Sequence, residues 1–332
     1  MIILFWYIIV LGGTMEDRKL FGISLITAVC IILLTGIFGG LLNDIVLLED
    51  QGASWYYWKL PAREFMPMLT AWLGYLLHQI FIWYGIYKLK ASKDKKWNKR
   101  LLIVNLIFVL LHFIQTHIWY DGLAQDVPVF SSQGSVIGML VLILIMENKR
   151  RGIIFGKSFK GFDRVQKFIK EYHGFYIAWA ITYTFWYHPM VSTSGHLVGF
   201  FYLFILFIQS SMAYTKIHTN TYWKLILEVL VLFHGTTVAV GQANDMWPMF
   251  GFGFAFIAVF TQIYSLKLDK KMNLLIQGLY IVGALIVFGG GFANKSIGDI
   301  HQVTWIPVTE YALVFVIVFI GEPILKLTKF KE

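Results

Sequence analysis

Ten apolar stretches of helical length follow one another between Leu20 and Leu327, and none of them alternates apolar with polar residues. No other feature restricts the fold as much. Hydrocarbon offers no hydrogen-bond partners, so a chain crosses it only as helices of about 20 apolar residues or as closed-barrel strands of about 10 with alternating polarity. Unbroken runs select helices. The stretches are Leu20–Leu42, Phe65–Tyr87, Leu101–Trp119, Gln133–Met146, Phe168–Tyr187, His196–Tyr214, Tyr222–Val240, Met249–Leu266, Met272–Gly290 and Val308–Leu327. The fourth is the shortest and can borrow from Val127 to Phe130. With 58% of the 332 residues hydrophobic and only 14% charged, a water-soluble domain is excluded. The expectation is an all-α polytopic helical membrane protein of about ten spans, forming a single transmembrane domain over residues 1–332.

Lysine and arginine stay on the cytoplasmic side of short connections, so their placement sets the orientation. The connections Lys88–Arg100 and Asn148–Lys170 are strongly basic, and Lys216, Lys224, Lys267, Lys270, Lys271, Lys326, Lys329 and Lys331 fall in connections of the same parity. Opposite-parity connections hold Asp44, Glu49, Asp50, Asp121, Asp126, Asp245 and Asp299, with only Lys59, Arg63 and Lys295 as cations. Both termini are therefore expected in the cytoplasm, in a cell membrane. The net charge of +9 reads as topology plus attraction to an anionic cytoplasmic leaflet. No nucleic-acid-binding module accompanies the basic segments, so nucleic acid is not an expected partner.

Residues 1–14 open on an apolar run too short to span and lacking a basic flank, followed by a second methionine, Met15. They read as an upstream start or as an interfacial anchor. The single cysteine, Cys30, excludes an intrachain disulfide and a cysteine-rich metal motif. Between Asn148 and Lys170, Ile153, Ile154, Phe155, Phe159, Phe162, Val165 and Phe168 are set among eight cations. This reads as a basic amphipathic connection, either lying at the headgroups or simply retained inside. A histidine, an acidic turn, a proline and a new apolar run recur after His112 and after His234. The recurrence would fit a parallel internal repeat of spans two to four and six to eight.

Histidines gather toward the non-cytoplasmic side. On the expected topology His78 sits near the midplane of span two, His112 past the middle of span three and His117 near its outer end. His188 and His196 flank an outer loop, and His234 occupies the outer half of span seven. An ionisable group within a span costs about 2–4 kcal/mol on insertion scales, so it faces the bundle interior. Asn105, His112, Gln115 and Trp119 share one stripe of span three, while His117 points away. Glu228, inside span seven, is the most expensive residue of all. It requires a proton, a neighbouring amide or a lysine such as Lys224 one turn away.

Three chemistries fit. Neutral imidazole binds haem iron, copper and zinc, and b-type haems sit between histidines of facing helices. His78, His112 and His234 are the candidate ligands of a haem b or a transition metal, with His117, His188 and His196 secondary, and a quinone or small molecule is the partner. A proton-coupled secondary transporter would instead use His112, His234 and Glu228 as a relay, with Asn105, Gln115, Asp121 and Asp245 along the substrate or proton path. A lipid-modifying enzyme would use histidine with Asp121 or Asp245 as acid and base. The glycine-rich "FGFGFAF" and "FGGGFAN" follow no strand and serve helix packing and a turn. No zinc-protease, nucleophile-elbow or paired acidic metal motif occurs.

Overall fold

The structure, a computed structural model, describes residues 13–49, 58–242, 245–328 and 330. The segment 1–12, Asp50 and the tail lysines Lys329 and Lys331 lie outside the described residues. Long helices dominate: α1 (Met15–Phe38), α2 (Phe65–Ser92), α3 (Lys96–Trp119), α4 (Val129–Arg151), α5 (Asp163–Tyr187), α6 (Ser194–Ser211), α7 (Thr221–Gly241), α8 (Trp247–Phe260), α9 (Lys270–Gly289) and α10 (Trp305–Leu327). Among the described residues the only β pairing is an isolated bridge between Ile154 and Lys157.

Each apolar stretch corresponds to one of these helices. Nine segments among the described residues are long and apolar enough to cross a membrane, which makes this a multi-pass integral membrane protein. The exception is α5, 25 residues long. Its first nine residues carry Arg164, Lys167, Lys170 and Glu171, so its apolar character is confined to the part after His173.

Local chemistry sets the helix ends. Thr14 caps α1 through a reciprocal box with Asp17, each side chain taking the other's backbone N–H. Thr193 and Asp269 cap α6 and α9 by accepting from His196 and Met272. Left-handed residues Lys93 and Tyr120 stop α2 and α3. The last turn of α4 carries Lys149, Arg150 and Arg151, whose positive charges suit the negative end of the helix dipole. Gly152 then turns the chain at φ +78°, where a Cβ would stand 2.5 Å from the carbonyl carbon of Gly156. Only glycine fits there. The turn carries Ile153 back into the protein interior, and Phe162 and Val165 are buried after it, whereas Phe155 and Phe168 remain exposed.

The chain forms two compact units. One comprises residues 1–139 and 174–220; the other comprises 140–173 and 221–332. This division does not separate spans two to four from spans six to eight, the two segments compared for an internal repeat. In the first unit α2 packs along α3, and α6 packs on both α1 and α3. Ile82, Leu89, Leu101 and Ala178 form a core there. Two glycines allow close approach: a Cβ on Gly74 would lie 2.2 Å from the Trp186 ring, and one on Gly85 would lie 2.5 Å from Leu101. In the second unit α8 is the central element, in contact with α7, α9 and α10.

Candidate functional site

The first unit holds His78, His112, His117, His188 and His196. His78 is fully buried on α2. The Trp186 indole N–H, which can only donate, reaches its Nδ1 at 3.2 Å. The ring proton is therefore on Nε2, which donates to Asn105 Oδ1 at 3.0 Å. Asn105 Nδ2 donates in turn to Ser211 Oγ at 2.9 Å, and Phe108 stacks on the imidazole at 4.6 Å. Trp186, His78, Asn105 and Ser211 thus form one buried chain from α5 through α2 and α3 to α6. Both ring nitrogens of His78 are engaged by protein groups.

His112, also fully buried, donates from Nε2 to the His188 carbonyl at 2.8 Å and lies 4.4 Å from the Trp186 ring. Gln115 is buried one turn further along α3. His117 turns to its own helix, donating from Nδ1 to the Phe113 carbonyl, and packs against Phe38. His188 and His196 meet edge to face at 5.3 Å, and His196 Nδ1 bonds the Thr193 hydroxyl at 2.8 Å. Beside them, Asp121 is shut from solvent in the connection between α3 and α4, with Arg63 Nη2 at 3.2 Å. Burial lifts the Asp121 carboxyl to about 6, against the pull of the Arg63 guanidinium. Arg63 also pairs with Asp126, which accepts from the Trp72 indole.

The second unit holds a separate set of charges. Glu228 is buried near the middle of α7. The last turn of α4 supplies its partner: the Arg151 side chain is 0% exposed and places Nη2 3.1 Å from Glu228 Oε2. Arg150 Nη2 stands 3.8 Å from Oε1. Lys224 turns instead to Glu147 at 3.0 Å, and Glu147 also pairs with Arg150. On α10, Glu310 is buried and forms no hydrogen bond or ion pair among the described residues, with Arg151 in electrostatic reach. A small cavity is lined by Glu310, Gln262, Leu140, Val231, Phe254 and Ile257. Several guanidinium nitrogens of Arg150 and Arg151 are buried without a hydrogen-bond acceptor in bonding geometry, and Glu228 Oε2 and Gln262 Oε1 are buried without a donor.

The residues singled out from the sequence therefore separate. His78, Asn105, His112, Gln115, His117, Asp121, His188 and His196 belong to the first unit, and Glu228, His234 and Asp245 to the second. Asp245 accepts from the Asn294 amide at an exposed position. Among the described residues no three His, Cys, Asp or Glu side chains converge as a metal-ligand set. Sequence reasoning missed Arg151, absorbed into a basic connection, and Glu310. The signal for Glu310 was present, since a carboxylate two residues inside the last apolar run is as costly as Glu228. Comparison of the chain with protein-family models, with curated proteins and with solved structures gives no match.

Proposed function

We propose that this chain is a proton-coupled secondary carrier of small organic anions, crossing the cell membrane ten times with both ends in the cytoplasm. One observation carries the reading: Arg151, wholly buried, pairs with Glu228 from α7 while Glu310 from α10 lies within its electrostatic reach. Charged groups at such depth are rarely structural luxuries. Guanidinium presents a fork of donors matched to carboxylate or phosphate, and in the resting arrangement Glu228 occupies part of that fork.

The coupling follows from charge balance. A proton on Glu228 discharges the internal counter-ion and releases Arg151. An incoming anion then replaces the lost negative charge, so the site gains one proton and one anion at constant net charge. Glu310, buried on α10 within electrostatic reach of Arg151, is a second carboxyl near the exchange site. Lys224 and Glu147, paired with each other, position the lower turn of the cluster. The histidine-bound haem or metal reading, with its quinone partner, draws less support. Trp186 and Asn105 already use both nitrogens of His78, leaving no lone pair for iron or copper.

The test is flux in reconstituted vesicles loaded with a pH dye and presented with acetate, lactate, succinate and citrate. At least one of these should drive proton entry in wild type and none should in Arg151→Gln. Proton movement independent of every anion on the panel would sink the proposal.

A further inference from the structure

We infer that the groove between the turn at residues 157–162 and helix α10 is a binding site for one anionic phospholipid. The groove measures about 580 Å³ and is lined by Lys160, Gly161, Phe162, Phe315, Phe319 and Glu322, among others. Its floor is aromatic: Phe315 meets Phe159 edge to face at 5.1 Å and Phe162 at 5.9 Å. Phe319 stands on a spanning helix with 82% of its surface uncovered, so in a bilayer acyl chains cover it.

The rim is what makes the surface selective. Lys160, which lines the groove, is exposed and its ammonium group has no hydrogen-bond or ion-pair partner among the described residues; the same holds for Lys326, one turn beyond Glu322. The one acid on the rim is already engaged. Glu322 accepts the Val165 N–H at 2.9 Å and pairs with Arg164 at 3.6 Å. The rim therefore presents the uncompensated charge of Lys160, with Lys326 a turn further along α10, above an apolar trough. Gly161, at φ +80° with open space where a Cβ would be, keeps the passage between them clear. From Phe319 to Lys326 the helix rises about 10 Å, the depth separating a phosphate from the upper part of its acyl chain. A phosphodiester on the lysines with a chain along Phe315 and Phe319 satisfies both halves. Basic pockets of this kind beside spanning helices on the cytoplasmic side select anionic headgroups.

Native mass spectrometry of the delipidated full chain with added phosphatidylglycerol or phosphatidylcholine tests the site. Wild type should retain phosphatidylglycerol at least fivefold more strongly. Lys160→Ser should lose about fivefold of that retention, whereas Lys270→Ser, the same change of net charge at the exposed start of α9, should lose none. Phe319→Ala should weaken both lipids, and its insertion and elution as wild type show that it is folded. Equal retention of the two lipids, equal losses in Lys160→Ser and Lys270→Ser, or complete displacement of phosphatidylglycerol by millimolar inorganic phosphate would each overturn the inference. A dimer that forms only when lipid is stripped away, and excludes it, would overturn it too by assigning the groove to a second copy.

Discussion

Removing Arg151 or Glu228 one at a time should be far more damaging than removing both. At 3.1 Å and an effective dielectric constant of about 20, the Coulomb attraction of the pair is on the order of 5 kcal/mol. Taking both ions out of water consumes most of that gain, so the pair itself adds little net stability. An orphaned partner is different, because its desolvation is then uncompensated, at roughly 3–5 kcal/mol. Arg150 softens the loss only partly, since it is 3.8 Å away and its side chain is 26% exposed. Arg151→Gln leaves Glu228 with only the partly exposed Arg150 at 3.8 Å, while Glu228→Gln leaves Arg151 with no ion-pair partner among the described residues. Each single variant should therefore cost about 3–5 kcal/mol. The double variant should fall well below the sum, with a coupling energy of about 2–3 kcal/mol. Reversible unfolding in mixed detergent micelles, run as a double-mutant cycle, measures this. Two small and additive effects would refute the reasoning, because they would mean that water or a mobile side chain already compensates each charge.

Three further outcomes follow from the first unit. The Asp121 carboxyl titrates near 6 in the folded protein against an ordinary value of 3.8, so the native state binds its proton more tightly than the unfolded chain. Stability from this group is therefore full below pH about 4 and lost as pH rises to about 6. Melting of Asp121→Asn across that window should be flatter than that of wild type, and an unchanged slope would contradict the assignment. Gly74→Ala should destabilise by about 1–3 kcal/mol, because the new methyl meets Trp186, 1% exposed and tied to His78; a shift in tryptophan emission should accompany the lower melting temperature. Asn105→Ala should cost about 2–4 kcal/mol by stranding His78 Nε2 and Ser211 Oγ, and melting comparable to wild type would show that the chain is not continuous.

Much of the fold was legible because hydrocarbon leaves little choice. An apolar run that cannot alternate must be helical, and every one of the ten runs corresponds to a helix. The α5 helix continues unbroken past the expected start at Phe168 to Lys167 and Arg164. The site was less legible. Spacing alone puts Asn105 and His112 on one face of α3, but Trp186, which links their surroundings, comes from a helix about 80 residues away in sequence and carries no mark of that role. Likewise the expense of Glu228 is visible in "WKLILEVLVLF", whereas its partner is not. Lys224, one turn away, is the obvious candidate by helical spacing. The nearer guanidinium reaches it only because Gly152 ends α4 in a left-handed turn and leaves Arg151 facing inward.

Calorimetric titration of an anion identified in the vesicle assay, carried out in two buffers of different ionisation enthalpy, tests the exchange at Glu228 most directly. Wild type should take up about one proton per anion bound, and Glu228→Gln none, since its amide carries no charge to be exchanged for the anion at any pH. Equal proton uptake by the two proteins would contradict that exchange.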